Sequence, residues 1–210
     1  MFDKNLSELL SKGLMQLNID DKKTDDLLTF VYLLEKWNKT YNITAIRNLE
    51  QMIILHIIDS ASVYNFLKGN SIIDIGTGGG IPGIIFAILD STKKVTLLDS
   101  SQKKTRFLRY AKRHINLENI EIVCERVEKF QPNFHYDVVI SRAFSEVGEF
   151  LKLSGHLCSD KGRVYAMKGP RKESEKESMI HGFELESDIN IDVPFLDAQR
   201  RLLVFKRTHE

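Results

Sequence analysis

An α/β fold on a doubly wound parallel sheet is predicted by three observations. A glycine-rich turn, Asp74-Ile75-Gly76-Thr77-Gly78-Gly79-Gly80-Ile81-Pro82-Gly83, stands between apolar residues Ile72-Ile73 and the apolar run 84–89, which reads as strand, turn and helix start. Short β-like and longer α-like segments alternate from residue 71 to residue 167, the rhythm of βαβ units. Residues 1–66 lack that alternation and show helical periodicity alone.

The elements follow in order. Leu27, Leu28, Phe30, Val31, Leu33 and Leu34 give a wide helical stripe, and 49–66 repeats the pattern with Met52, Leu55, Ile58 and Val63. Residues 1–66 therefore form an N-terminal helical extension and 67–210 the sheet domain. Strands are predicted at 71–75, 94–98, 120–124, 136–140 and 163–167, and helices at 80–89, 101–114 and 146–157. Residues 183–193 and 201–206 read as two further strands. The gap between them is too short for a crossover helix, so they should pair as an antiparallel hairpin. The charged stretch 172–176 reads as a helix start or a solvated loop.

Composition narrows the class. A chain of 210 residues, 42% hydrophobic and 28% charged, fits an ordinary globular protein. Thirty basic against 29 acidic residues leave a net charge of +1, so a polyanion partner must be met by a local patch rather than by bulk charge. Two cysteines, Cys124 and Cys158, suit free thiols better than a disulfide framework. Asp3, Lys4 and Glu8 interrupt the N-terminus, and the longest apolar run, 81–89, contains Pro82 and Gly83. Neither a secretory signal nor a membrane span is predicted, and a cytoplasmic chain follows. No dimerisation helix is evident, and a monomer is expected.

The glycine turn carries the first chemistry. Glycines reach positive φ and let backbone approach a ligand, and a helix start favours a negative ligand group. The register Gly78-x-Gly80-x-x-Gly83 formally matches a dinucleotide fingerprint. Two features argue for another cofactor. The turn already begins at Gly76, and Asp74 stands two residues before it, where dinucleotide binders usually carry an apolar residue. A carboxylate there suits a cofactor with a cationic sulfonium and amino group, which is S-adenosyl-L-methionine; it also suits a simple turn cap. Asp99 ends the next strand, 25 residues after Asp74. It can accept ribose hydroxyls, or it can cap the helix that follows. The loop Arg126-Val127-Glu128 follows the third strand and can grip an adenine edge with backbone, or is an ordinary loop; Arg142, in Ser141-Arg142-Ala143-Phe144, ends the fourth and should point into the crevice, with a surface arginine as the alternative.

Other residues are candidates for nucleic acid. Lys103, Lys104, Arg106, Arg109, Lys112 and Arg113 share one helix, with Arg126, Arg171 and Lys172 in strand-end loops. Such a face can cradle phosphates; for 109–113 a solvated helix face is an equal reading. Phe144 and Tyr41 can stack unpaired bases or fill core. His56 and Asp59, three apart on a helix, face one side and suggest a hydrogen-bonded pair bracing the helical cap; a direct role at the mouth of the active site is the alternative reading. No third ligand accompanies them, and no metal site is expected.

Taken in order, these motifs resemble the GidB family of bacterial methyltransferases. The match rests on Trp37-Asn38, Tyr41-Asn42-Ile43-Thr44-Ala45-Ile46, His56-Ile57-Ile58-Asp59-Ser60, the turn from Asp74 to Gly83, and Leu97-Leu98-Asp99-Ser100 with Lys103-Lys104. Phe107-Leu108-Arg109, Ser141 to Phe144, Met167-Lys168-Gly169 and Arg200-Arg201 complete it. The resemblance implies a class I, Rossmann-like methyltransferase fold with an N-terminal helical extension. It implies methyl transfer from S-adenosyl-L-methionine to guanine N7 in the 530 loop of 16S ribosomal RNA, on the small subunit or an assembly intermediate. Family cofactor contacts carry over to Gly76, Ile81, Val127, Glu128 and Arg142, and Asp74, Gly78 and Asp99 join them on the reading above. Arg142, Lys168 and Arg200 are the expected catalytic-site contacts to guanine or phosphate. Lys103, Lys104, Arg126 and Arg171 are the expected RNA contacts. The family often carries Glu-Arg-His where this chain has Gln199-Arg200-Arg201. Two other readings stay open: a methyltransferase acting on a small molecule or protein, and a dinucleotide-binding redox or regulatory module.

Overall fold

The computed structural model describes residues 2–142, 144, 146–170 and 179–208. Helices come first: α1 (Lys4–Gln16), α2 (Thr24–Tyr41) and α3 (Leu49–Met52), which runs through π-helical turns at Ile53–Ile58 into α4 (Asp59–Ala61). The sheet elements follow as β1 (Ser71–Ile75), α5 (Gly83–Leu89), β2 (Lys94–Leu98), α6 (Gln102–Ile115), β3 (Ile120–Val123) and β4 (Tyr136–Ser141). Then come α7 (Val147–Ser154), β5 (Cys158–Lys168), β6 (Met179–Ile180), β7 (Phe183–Ile191) and β8 (Arg200–Arg207).

The strands form one sheet in the order β3-β2-β1-β4-β5-β8-β7-β6. Strands β1 to β5 pair in parallel, β8 pairs antiparallel with β5, and β7 pairs antiparallel with β8. The strand order reverses between β1 and β4, and doubly wound sheets bind ligands beyond the strand ends at such a point. The doubly wound sheet and its C-terminal hairpin are as the sequence predicts. Its apolar strands are buried on both faces: Ile72, Ile73, Val138, Val139 and Ile140 are all fully enclosed.

Helices α1, α2, α5 and α6 share one core with a sheet face, through Leu10, Leu14, Leu28, Phe30, Phe86, Phe107 and Leu108. Trp37 joins the N-terminal layer to α6, with ring centroids 5.6 Å from Phe107 and 5.2 Å from Tyr110. Tyr41 packs against the same indole, tilted by 35°, with centroids 4.9 Å apart. The opposite sheet face packs α7, with Phe150, Leu151 and Leu157 against Val139 and Phe205. The motif Asn38 to Ile46 is a brace. Buried Asn38 accepts from the Thr44 amide at 2.9 Å and donates to the Ile46 carbonyl at 3.0 Å, shaping the loop after α2.

Some boundaries differ from expectation, each for a local reason. Helix α5 starts at Gly83 rather than at 80, because Gly76, Gly78 and Gly80 all hold positive φ and keep the chain in a turn. Strand β5 begins at Cys158, five residues before the predicted 163, since its polar stretch Ser159-Asp160-Lys161 is solvent-facing and gives no apolar signal. The two-residue β6 was not anticipated. The charged stretch 172–176 and Arg171 lie outside the described residues. Among the described residues no helix is long and apolar enough to cross a membrane.

Candidate active site

Two cavities open at the carboxyl ends of the parallel strands, on either side of the β1–β4 boundary. The first, of about 370 Å³, lies over β1, β2 and the loop after β3, lined by Gly76, Asp99, Ser100, Lys104, Arg126, Val127, Glu128 and Phe144 among others. The second, of about 330 Å³, lies over β4, β5 and β8 and is closed by the N-terminal layer. Its lining includes Ile46, Leu55, His56, Asp59, Arg142, Met167, Lys168, Arg200 and Arg201.

The first cavity is built around the glycine loop after β1. The loop after β1 turns on Gly76 (φ 66°), Gly78 (φ 60°) and Gly80 (φ 91°). A Cβ at Gly80 would meet Leu108 Cδ2 at 2.8 Å, and one at Gly83 would meet Leu97 Cδ2 at 2.5 Å and Asp74 Cβ at 2.8 Å. Asp74 is fully buried beneath the loop. Its Oδ2 accepts from the Thr77 hydroxyl at 2.6 Å and from the Gly83 amide at 2.8 Å, tying the turn to the start of α5. Its Oδ1 is buried with no partner. Burial pushes the Asp74 carboxyl up to about 7, against the lowering effect of those two bonds and of the Arg142 charge.

Asp99 sits at the end of β2, mostly buried. Its Oδ2 accepts from the Gly78 amide at 2.9 Å, so the carboxylate fixes the glycine loop to the neighbouring strand. Its Oδ1 accepts from the Ser101 amide at 2.9 Å, while the Ser101 hydroxyl itself caps α6. The Lys104 ammonium lies 3.5 Å from Asp99 Oδ2.

The second cavity is made of side chains. Asp59 is 3% exposed and receives two arginines: Arg142 Nη1 donates to Oδ2 at 3.2 Å and Arg200 Nε to Oδ1 at 3.1 Å. Arg142 also donates to the Leu55 carbonyl at 2.8 Å and lies 3.2 Å from His56 Nδ1. The far ring nitrogen, Nε2, meets the Thr44 hydroxyl at 2.9 Å. Burial and the Arg142 charge hold the His56 imidazole down to about 4, so it is neutral at pH 7. Lys168 Nζ donates to the Phe144 carbonyl at 3.2 Å, and buried Arg201 pairs with Asp188 at 2.9 Å behind Arg200.

The candidate residues thus fall into two groups. Gly76, Asp99, Val127 and Glu128 line the first cavity; Asp74 and Gly78 build the loop behind it; Ile81 is buried in the main core. Arg142, Lys168 and Arg200 meet in the second. Of the residues expected to hold RNA, Lys103 is exposed on α6, whereas Lys104 faces Asp99 and Arg126 lies 4.0 Å from Glu128 at the first cavity's rim. Lys112 donates to the Ile120 carbonyl at 2.7 Å, a tie between α6 and β3. Phe144 stacks on Phe150 with centroids 5.1 Å apart.

His56 and Asp59 do share a helix face, yet the expected bond between them is replaced. Asp59 pairs with Arg142 and Arg200 instead, and His56 Nδ1 lies 3.2 Å from both Arg142 Nη2 and the Leu55 carbonyl. The clamp formed by Leu55, Asp59, Arg142 and Arg200 was not read from the sequence; the pattern His56-x-x-Asp59 facing one side was its only local trace. No cluster of His, Cys, Asp or Glu able to hold a metal occurs among the described residues.

A parallel sheet with a glycine loop after β1, a carboxylate at the tip of β2 and an antiparallel hairpin at its edge defines the class I methyltransferase fold. Solved structures agree. A SAM-dependent methyltransferase from Aquifex aeolicus superposes with a TM-score of 0.57 over 82% of this chain and 97% of its own, at 13% identity. One from Thiobacillus denitrificans in complex with S-adenosyl-L-homocysteine gives 0.53 over 84% and 97%, at 9% identity. Sequence similarity is more specific. The GidB profile, described as rRNA small subunit methyltransferase G, matches residues 23–204. "Ribosomal RNA small subunit methyltransferase G" of Nitrosococcus oceani is 42% identical over 93% of this chain and 92% of its own. Its counterpart in Shewanella amazonensis is 44% identical over 94% and 97%. The chain belongs to the GidB family of methyltransferases.

Proposed function

We propose that this chain transfers the methyl group of S-adenosyl-L-methionine to N7 of a guanine in the 530 loop of 16S ribosomal RNA. The second cavity's chemistry carries this reading. Its base-capable side chains are all engaged: Asp59 by two guanidinia, His56 by Thr44 and Arg142. A neutral imidazole with both nitrogens occupied is a poor general base. Guanine N7 bears a lone pair and no proton, so its methylation needs positioning and no base. The donors Arg142, Lys168 and Arg200 suit the O6 acceptor and the phosphate, and they leave N7 free to attack.

The first cavity fits the cofactor. An orphaned buried oxygen on Asp74, a loop of positive-φ glycines and a carboxylate at the tip of β2 answer to a ligand with cationic groups and a ribose. When bound, S-adenosyl-L-methionine supplies an electrophilic methyl on a sulfonium. Asp99 would accept the ribose hydroxyls, with Lys104 sharing or leaving that carboxylate. Backbone at Val127 and Glu128 would border the adenine, and Gly76 would admit close approach. The fully buried Asp74 acts through the loop it braces. Residues 1–66 wall the acceptor side, since Leu55, His56 and Asp59 come from them. The names of the relatives support ribosomal RNA of the small subunit as substrate.

The test is methyl transfer from labelled cofactor to small subunits, and separately to bare 16S RNA, both from cells lacking this gene. Mass spectrometry would then identify the nucleoside. Label in 7-methylguanosine at one site supports the reading. Label in another base, or only in protein, overturns it.

A further inference from the structure

We infer that Asp59 is a positioning residue for methyl transfer: its carboxylate holds the Arg142 and Arg200 guanidinia in the one arrangement that presents them to the acceptor base. This rests on reading the second cavity as the acceptor site.

Four observations converge. The carboxylate is 3% exposed, and each of its oxygens receives a different arginine, from positions 83 and 141 residues later in the chain. Those arginines stand at the end of β4 and the start of β8, strands separated in the sheet by β5, so Asp59 ties together two edges of the cavity that do not pair directly. The helix around Asp59 is adapted to the task. Its N–H reaches back to the Ile54 carbonyl in a π-helical turn, and the Leu55 carbonyl, which a regular α-helix would pair with that N–H, accepts from Arg142 at 2.8 Å. Finally, His56 places a neutral ring nitrogen 3.2 Å from the same guanidinium. One helical turn therefore accepts from Arg142 at the Leu55 carbonyl and at Asp59, accepts from Arg200 at Asp59, and packs the His56 ring against Arg142.

The arrangement has a chemical consequence. Arg142, Lys168, Arg200 and Arg201 bring four cations to one small cavity, and a purine methylated at N7 gains positive charge there. Asp59 offsets that charge through the inner faces of two guanidinia; Arg200 Nη1 also donates to the Gln199 carbonyl at 3.1 Å, which leaves Arg142 Nε and Arg200 Nη2 for acceptor oxygens. Without the carboxylate the arginines would swing apart, and misplacement on the order of 1 Å can cost roughly 100-fold in rate.

The experiment compares wild-type, Asp59→Asn and Arg200→Lys enzymes, and the double variant, in steady-state methyl transfer to small subunits. Cofactor affinity is measured by calorimetry. Arginine side-chain NMR follows the Arg200 Nε–H, which is slowed in exchange while bonded to Asp59. Asp59→Asn is expected to lower kcat by roughly 10- to 100-fold, with cofactor Kd within about twofold and a rapidly exchanging Arg200 Nε–H. The double variant should be little worse than the worse single one, since one unit is broken twice. A kcat for Asp59→Asn within about twofold of wild type, or single effects that multiply, overturns the inference. If wild type itself transfers nothing, the functional reading fails; the Nε–H signal then decides the clamp alone, and an Arg200 signal unchanged by Asp59→Asn sinks it.

Discussion

The two cavities of this protein are built by opposite means. The first is assembled from neighbours in sequence: Asp74, Thr77 and Gly83 lie within ten residues, and Asp99 joins them from the next strand. Its loop turns on the positive-φ glycines Gly76, Gly78 and Gly80, and the packing leaves no room for an added methyl at Gly80 or at Gly83, the first residue of α5. The second is assembled from afar, by ion pairs between a helical layer and two strands. Backbone geometry suits a ligand that is always the same, because main-chain positions are fixed by the fold. Long cationic side chains suit a polymeric anion that must be captured, oriented and released.

That contrast can be broken most sharply at two glycines. Gly83→Ala places a Cβ 2.5 Å from Leu97 Cδ2 and 2.8 Å from Asp74 Cβ, inside the braced turn. It should lower unfolding free energy by about 3 kcal/mol and weaken cofactor binding. Gly169→Ala, beside the second cavity, has nothing within 4 Å of the new methyl and should change stability by less than about 0.5 kcal/mol. Urea unfolding of both variants reads the difference; equal losses would remove the contrast in how tightly the halves are packed.

The two cavities also titrate in opposite senses. Asp74 is raised from 3.8 to about 7, so the folded state keeps a proton that the unfolded chain releases, and stability falls as pH rises through that range. His56 is lowered from 6.5 to about 4, so the unfolded chain binds a proton that the folded state refuses, and stability falls as pH drops through that range. Each slope is at most about 1.4 kcal/mol per pH unit, and between roughly pH 4 and 6.5 they cancel. Asp74→Asn should therefore unmask a stability that climbs with pH in that window, and His56→Gln one that declines. Urea midpoints across the window decide it; two variants that track wild type would contradict both assignments.

The smallest effect belongs to the surface. Lys103 is exposed on α6, outside both cavities. Lys103→Glu should weaken RNA binding only a few-fold, about 1 kcal/mol, and the loss should shrink as salt rises. A salt-independent loss would mean that it makes a buried contact.

How much of this was legible beforehand follows the same division. The sheet, its hairpin and the glycine loop were readable because their signals are local: alternating apolar runs, and glycines at fixed spacing from Asp74. Boundaries failed where local chemistry was mixed, as at the polar start of β5 and in the turn before α5. The Asp59 clamp was hidden because its partners are 83 and 141 residues away, and nothing in a helical His-x-x-Asp pattern says which guanidinium each side chain will meet. Arg142, Lys168 and Arg200 were picked out from strand-end placement and the resemblance, and they share one cavity. Lys104 is an expected RNA contact by its place on α6 near the crevice and by the resemblance, and its ammonium stands beside Asp99 because α6 starts immediately over the tip of β2.

The proposed function implies a division of labour between a glycine-loop cradle for the cofactor and a clamped arginine site for the acceptor. The most direct test measures cofactor Kd and kcat at saturating cofactor, side by side, for Asp99→Asn and Arg200→Gln. Asp99→Asn should weaken cofactor binding roughly tenfold, with kcat within a few-fold of wild type. Arg200→Gln should leave Kd nearly unchanged and lower kcat by roughly 100-fold. Both substitutions shifting Kd and kcat together would contradict the division and merge the two cavities into one site.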